Sequence, residues 1–197
     1  MPESVQLIFR EIDQFFMQQG KVYETLTNVS QSLSKAGIEY AVIGGMALVI
    51  HGYRRTTQDV DLLLTPEGLE TFRSALVGRG FVPAFTGATK MFKDTSTGVS
   101  VEIIVTGEYP GDGKPKPVSF PDPAVVSVDR DGIKVIELVK LIELKLASGL
   151  SAPGRLKDLA DVQELVRSLS LPSELVDDLD ESVKADYLRL WDAVQDV

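Results

Sequence analysis

The sequence predicts an α/β protein of the α+β kind: a small mixed β-sheet with helices before it and a helical subdomain after it. Three observations carry this expectation. Residues 38–64 read as strand, glycine pair, short helix and strand in immediate succession. Short apolar runs punctuated by glycine and proline then recur up to residue 135, which is the spacing of further short strands. From Glu137 onward the apolar period becomes helical and stays so. The division expected is an N-terminal helical segment over 1–35, a core over 36–135 and a C-terminal helical subdomain over 136–197.

Taken in order, residues 3–18 put Val5, Ile8, Phe9, Ile12 and Phe16 on one side at helical spacing. Gly20 interrupts, and a second helix covers 21–35, ending before Gly37. Residues 38–43 form the first strand, 45–51 a short helix that closes at Gly52, and 59–64 the second strand. Pro66 stands where a helix accepts proline in its first turn, so 66–78 is helical and Gly80 stops it. Short strands follow at 80–84, 89–93 and 99–105. Five prolines and three glycines between Gly107 and Pro123 exclude regular structure, and a loop of that length is usually functional or mobile. Strands near 124–128 and 133–135 complete the sheet. Helices cover 137–148, 155–169, a turn or two after Pro172, and 181–195. No internal repeat or low-complexity tract is present.

Composition narrows the function classes. Hydrophobic residues make up 44% of the 197, enough for a sizeable core. The longest apolar run, Ala41 to Ile50, falls far short of the roughly 20 residues that span a bilayer, so no membrane association is expected. Met1-Pro-Glu-Ser lacks the basic start and apolar stretch of a secretory signal, and no cysteine is available for disulfides or thiolate metal sites. A cytoplasmic setting is the expectation. The formal charge of −9 weighs against a broad nucleic-acid-binding face and modestly against a large RNA partner, while leaving room for a local basic groove.

The chemistry concentrates between Tyr40 and Leu64. Gly44 and Gly45 open a helix, where unpaired backbone N–H groups attract phosphate oxygens and a missing side chain lets phosphate come close. A tight turn without ligand is the alternative. Neither GxGxxG nor a Walker A pattern occurs. Asp59 and Asp61 lie two apart on a strand and so share a face, about 6.6 Å apart. Like charges so placed raise a pKa or require a cation between them. Glu102 sits in Ser100–Val105 among apolar neighbours, where a lone carboxylate in a buried strand is costly unless paired or metal-bound. Three acids from two strands make an oxygen cage suited to Mg²⁺ or Mn²⁺, and two such ions about 4 Å apart would orient a triphosphate and an attacking oxygen.

On the first C-terminal helix, Leu138, Leu141, Ile142 and Leu146 share an arc that contains Lys145, with Lys140 and Glu143 opposite. On the next, Leu159, Val162, Leu165, Val166 and Leu169 form the apolar arc, with Asp158 inside it, Asp161 at its edge and Lys157 facing away. A lysine on an apolar face needs an anion. Two accounts fit: a Lys145–Asp158 ion pair joining the helices, or Lys145 on a bound phosphate with Asp158 beside it. His51 reads as a cap at the negative end of the glycine helix rather than a catalytic group. Tyr187 and Trp191 read as core.

Gly44-Gly45, thirteen intervening residues, Asp59-Val60-Asp61 and then Val101-Glu102-Ile103 resemble the nucleotidyltransferase superfamily, the DNA polymerase β-like fold. Its glycine turn is followed by a paired-acid strand and later a third acid. The surroundings resemble its AbiEii-like bacterial group, which includes toxin components of toxin–antitoxin systems. The matching residues are Arg55-Thr56-Thr57-Gln58-Asp59-Val60-Asp61, Lys145, and Lys157-Asp158-Leu159-Ala160-Asp161. The likeness covers about residues 36–168.

The resemblance implies a nucleotidyltransferase core and an enzyme that moves a nucleoside monophosphate from an NTP to an acceptor hydroxyl on RNA, protein or a small molecule. Under it, Asp59, Asp61 and Glu102 hold Mg²⁺ or Mn²⁺; Gly44, Gly45, Arg55, Thr57 and Lys145 bind nucleotide; Lys145 and Asp158 join the acids in catalysis. Arg55 would touch a phosphate or brace Asp61, unless it is a solvated loop residue, and Thr57 would orient an acid. A toxin-like role with a cognate antitoxin belongs to the same implication. Two rivals stand beside it: a catalytically silent member that binds nucleotide or a protein partner in regulation, and a helical partner protein that acts by contact alone.

Overall fold

The structure, a computed structural model, describes residues 20–195. The helix expected over 3–18 lies outside the described residues. A helix α1 (Lys21–Lys35) leads into β1 (Tyr40–Ile43), α2 (Gly44–Ile50) and β2 (Asp59–Leu64). Then come α3 (Pro66–Leu76), β3 (Phe81–Pro83), β4 (Met91–Asp94) and β5 (Ser100–Val105). After a long loop follow α4 (Pro123–Val126), β6 (Ser127–Arg130), β7 (Ile133–Ile136), α5 (Leu138–Ser151), α6 (Leu156–Leu169) and α7 (Glu181–Gln195). Short 3-10 turns at Pro153–Arg155 and Ser173–Asp178 join the last three helices.

The seven strands form one mixed sheet in the order β3-β4-β5-β2-β1-β7-β6. β2 pairs antiparallel with β1 and parallel with β5, and β1 pairs parallel with β7. This is the mixed α/β architecture expected, with a helix before the sheet and helices after it. One face is covered by α1 and α3. There Val60, Leu62, Val101 and Ile103 are fully buried, and Phe72 of α3 packs its ring against Phe81 and Phe92 at 5.4 and 4.9 Å between centroids. The start of α3 obeys local rules: Thr65 Oγ1 accepts the Gly68 N–H at 3.0 Å and Pro66 occupies the first turn.

Two expectations are corrected. The strand expected over 124–128 begins only at Ser127, because Asp122 caps the Ala124 N–H at 2.9 Å and Pro123 fits a first turn, so Pro123–Val126 is helical. Glu143, expected opposite the apolar side of α5, is buried: α7 packs on that side, and Glu143 accepts the Asp180 N–H at 2.8 Å and pairs with Lys140 at 2.5 Å. Close packing of α5 on α6 depends on Gly149, where a Cβ would come within 2.6 Å of Leu159. Tyr187 is fully buried and Trp191 packs against the core; their polar atoms donate to the Pro172 and Leu171 carbonyls. Among the described residues no helix is long and apolar enough to cross a membrane.

Candidate active site

β1 ends at Ile43, and Gly44 turns the chain straight into α2 with a φ of +61°, a conformation costly for any residue with a side chain. The position is also crowded: a Cβ there would overlap Asp61 Oδ2 and lie 2.7 Å from its Cγ. Gly45 makes the second close approach, since its Cβ would meet Thr57 Oγ1 at 2.6 Å. The Gly45 backbone N–H donates to the Asp61 carboxylate. The glycine pair therefore lets the β1–α2 turn lie directly on the acid-bearing strand.

Along β2, Asp59 and Asp61 flank the buried Val60 and share one face. In the parallel register Asp61 stands beside Glu102, and Asp59 beside Ser100. All three acids line the same cleft as the glycine pair. Glu102 differs from expectation in one respect: its side chain is exposed while Val101 and Ile103 are buried, because only one face of β5 is covered. Strand register, not the cost of burial, brings it to the aspartates.

The opposite wall comes from the C-terminal helices. Lys145 Nζ donates to Asp158 Oδ1 at 2.7 Å and Asp161 Oδ2 at 2.8 Å. Ser148 Oγ donates to Asp158 Oδ2 at 2.7 Å. Arg55 reaches across from the loop between α2 and β2, its NH1 donating to both oxygens of Asp161 at 2.7 and 2.8 Å; it does not brace Asp61. In the same loop Thr57 Oγ1 donates to Asp59 Oδ1 at 2.8 Å. Lys157, expected to face away, is exposed at the rim of the cleft.

The long loop after β5 forms a third side. Its base is closed by backbone pairing between Gly107, Glu108 and Phe120. Its tip is pinned to the helices: Ser151 Oγ accepts the Asp112 N–H at 3.1 Å, and Arg155 donates to the Gly111 carbonyl at 3.2 Å. The enclosed space is about 740 Å³, within the range that small-molecule ligands occupy.

Burial, with the charges of Asp59 and Glu102, pushes the Asp61 carboxyl up from 3.8 to about 7, against the opposing Gly45 N–H and Lys145. Burial would also raise Asp158, but Lys145, Ser148 and Arg155 together hold it below its ordinary value. Hard oxygen donors beside a glycine turn suit Mg²⁺ or Mn²⁺, and repulsion among the acids is what a divalent cation would relieve. Among the described residues no group of three or more such side chains is placed to hold a metal ion, so the three-acid oxygen cage expected from the sequence is not formed by the protein alone. The acids present an open wall, which fits an ion whose remaining ligands are phosphate oxygens and water.

Asp61 makes stability depend on pH. Between about pH 4 and 7 the native carboxyl keeps a proton that the unfolded chain has released, so raising pH through this window costs stability. In metal-free protein the melting temperature of Asp61→Asn is expected to rise relative to wild type from pH 4 to 7 and to level off above. Melting curves in chelator across that range check it; a pH-independent difference contradicts it.

Sequence reasoning gave Ser148 and the cleft-lining Glu108 no part in the site, and it placed Asp161 at the edge of the α6 apolar arc without a role. The i+3 spacing of Asp161 from Asp158 on one helix face is the signal that the two carboxylates act together. Nothing local marks Ser148 or Glu108. His51 occupies the cap position of α2, but its ring reaches β7 and shares a 2.7 Å hydrogen bond with the Ile136 carbonyl.

No family model and no curated protein matches the sequence. Solved structures do match in shape. ANT(2")-Ia, in complex with adenylyl-2"-tobramycin, aligns with a TM-score of 0.54 at 12% identity over 84% of this chain and 98% of that one. A protein from H. pylori provisionally assigned as a nucleotidyltransferase aligns at 0.47, with 15% identity over 87% and 91%. Another with the same provisional assignment, from Thermotoga maritima, aligns at 0.47, with 18% identity over 73% and 91%. The likeness to ANT(2")-Ia is one of fold: this chain has a nucleotidyltransferase-like fold.

Proposed function

We propose that the protein is a metal-dependent nucleotidyltransferase that moves a nucleoside monophosphate from an NTP to an acceptor hydroxyl. The observation that carries this reading is the placement of Asp59, Asp61 and Glu102 on one sheet face, with Gly44 pressed against Asp61. Asp59 and Asp61, with Glu102, would hold Mg²⁺ or Mn²⁺, which supplies charge neutralisation at the phosphates and fixes the reacting geometry. Gly44 and Gly45 form the floor for the β- and γ-phosphates. Thr57 keeps Asp59 oriented, and Arg55 and Lys145 offer positive charge to the triphosphate. Glu102, exposed on the cleft face, takes the proton of the acceptor hydroxyl as its oxygen bonds to the α-phosphorus. The bond from that phosphorus to the bridging oxygen breaks and pyrophosphate leaves. Asp158 completes the site by holding Lys145.

The acceptor is an RNA end, a protein hydroxyl or a small molecule. The adenylyl-tobramycin bound to ANT(2")-Ia supports keeping small hydroxylated compounds among these. The AbiEii-like run Arg55–Asp61 with Lys145 and Lys157–Asp161 supports a toxin-like role restrained by a partner antitoxin. The test is incubation of the protein with each α-³²P-labelled NTP, Mg²⁺ or Mn²⁺, and cell extract. Label is expected in one fraction (RNA, protein or small molecule) with one NTP preferred. Absence of label from every fraction with all four NTPs contradicts the proposal.

A further inference from the structure

We propose that Asp161 is the positioning residue that aims both Arg55 and Lys145 at the nucleotide, a role that rests on the nucleotide-binding reading of this cleft. Its carboxylate, 5% exposed, is the single point where three separate segments meet. Arg55 comes from the loop before β2, Lys145 from α5 and Asp161 from α6. An ammonium has three donors. Asp158 and Asp161 take two of those on Lys145, so the direction of the third is set by the other two, and Lys145 lines the cleft. Arg55 commits NH1 to Asp161, and its Nε reaches only the Thr56 carbonyl at 3.5 Å. Its NH2 has no partner among the described residues and stays available to a ligand.

A purely structural ion pair would not need this arrangement. Asp158 already joins Lys145 of α5 to α6, with Ser148 as a further tie. The second carboxylate is distinguished by what it adds, the link to Arg55. That link anchors the loop in which Thr57 orients Asp59. Asp161 thus connects the helical wall to the acid wall through Arg55 and sets the spacing between the phosphate-facing cations and the acids.

The test is isothermal titration of Mg²⁺ with the α,β-methylene analogues of the four NTPs. The proteins compared are wild type, Asp161→Asn, Arg55→Gln, the double variant and Asp161→Glu, each checked for folding by circular dichroism and melting. Asp161→Asn and Arg55→Gln are each expected to weaken binding at least about tenfold, the scale of one charge-assisted contact. The double variant is expected to bind no worse than the weaker single one, because both changes break the same link. Asp161→Glu keeps the charge and recovers most of the affinity. Arg55→Gln leaves Asp161 paired with Lys145 and carries the test even where Asp161→Asn does not fold. A packing role alone lowers the melting temperature and leaves the affinity of the folded protein unchanged; that result, or single losses that multiply in the double variant, overturns the proposal. A wild type that binds none of the analogues removes the nucleotide reading itself, whereas normal binding by both Asp161→Asn and Arg55→Gln removes the roles of Asp161 and Arg55 and leaves the rest of that reading standing.

Discussion

Asp61→Asn is expected to lower metal-dependent nucleotide transfer by about a thousandfold or more while the protein stays folded. The side chain sits where every constraint of the cleft converges: the Gly44 turn pressed against it, the Gly45 N–H on its carboxylate, Asp59 on the same strand face and Glu102 in register. Asparagine keeps the shape and accepts the Gly45 N–H, but it offers no negative charge to a cation. Loss of one pre-placed charged or polar group at a phosphoryl-type centre costs about 10²–10³ in rate, and loss of a metal ligand belongs at or beyond the upper end. Stability moves the other way near neutral pH. The wild-type carboxyl, pushed up to about 7 by burial and by its two acidic neighbours, is destabilised when ionised, and asparagine removes that repulsion. Turnover by radiolabelled pyrophosphate release, read beside thermal melting, checks both halves. Retained turnover in the variant removes the acids from the mechanism.

Gly44→Ala is expected to damage both stability and activity. Two costs add at this residue: a side chain at φ of +61° is strained by about 1–2 kcal/mol, and its Cβ would overlap the Asp61 carboxylate, an overpacking cost of roughly 1–3 kcal/mol. Together these lower the melting temperature by on the order of 5–15 °C for a chain of this size. Asp61 must move to make room, and a displacement of about 1 Å at a reacting centre costs around a hundredfold in rate. Gly78→Ala is the control. Gly78 has a φ of +80° with nothing within 4 Å of the added Cβ, so it carries the strain without the collision. Similar losses for the two variants, in melting temperature and in rate, contradict a specific role for the Gly44–Asp61 contact.

Much of the fold was legible because local signals and tertiary demands agreed. Asp59–Leu64 reads as a strand from its alternation and is one, and Thr65-Pro66 announces the start of α3. The run Gly44-Gly45 to Asp59-Val60-Asp61 was legible as a site because its residue types are costly without a shared purpose. Errors arose where the deciding fact was long-range. Glu102 was expected inside a covered strand, but whether a strand is covered on one face or two depends on elements distant in sequence. Glu143 looks solvent-facing in sequence, but Asp180, 37 residues later and just before α7, supplies an N–H to it. Arg55 could be given no single partner, since the carboxylate it holds lies 106 residues away on another helix. Asp122-Pro123 is a local helix-start signal that outweighs the strand-like apolar residues after it.

In the function proposed, Asp59 and Asp61, with Glu102 beside them, bind a divalent cation against a triphosphate resting on the glycine turn. Anomalous X-ray scattering at the manganese edge tests it most directly, from crystals grown with Mn²⁺ and a non-hydrolysable NTP. Manganese is expected on Asp59 and Asp61 oxygens, with phosphate oxygens in the same shell. Manganese bound elsewhere, or nucleotide seated away from Gly44 and Gly45, contradicts it.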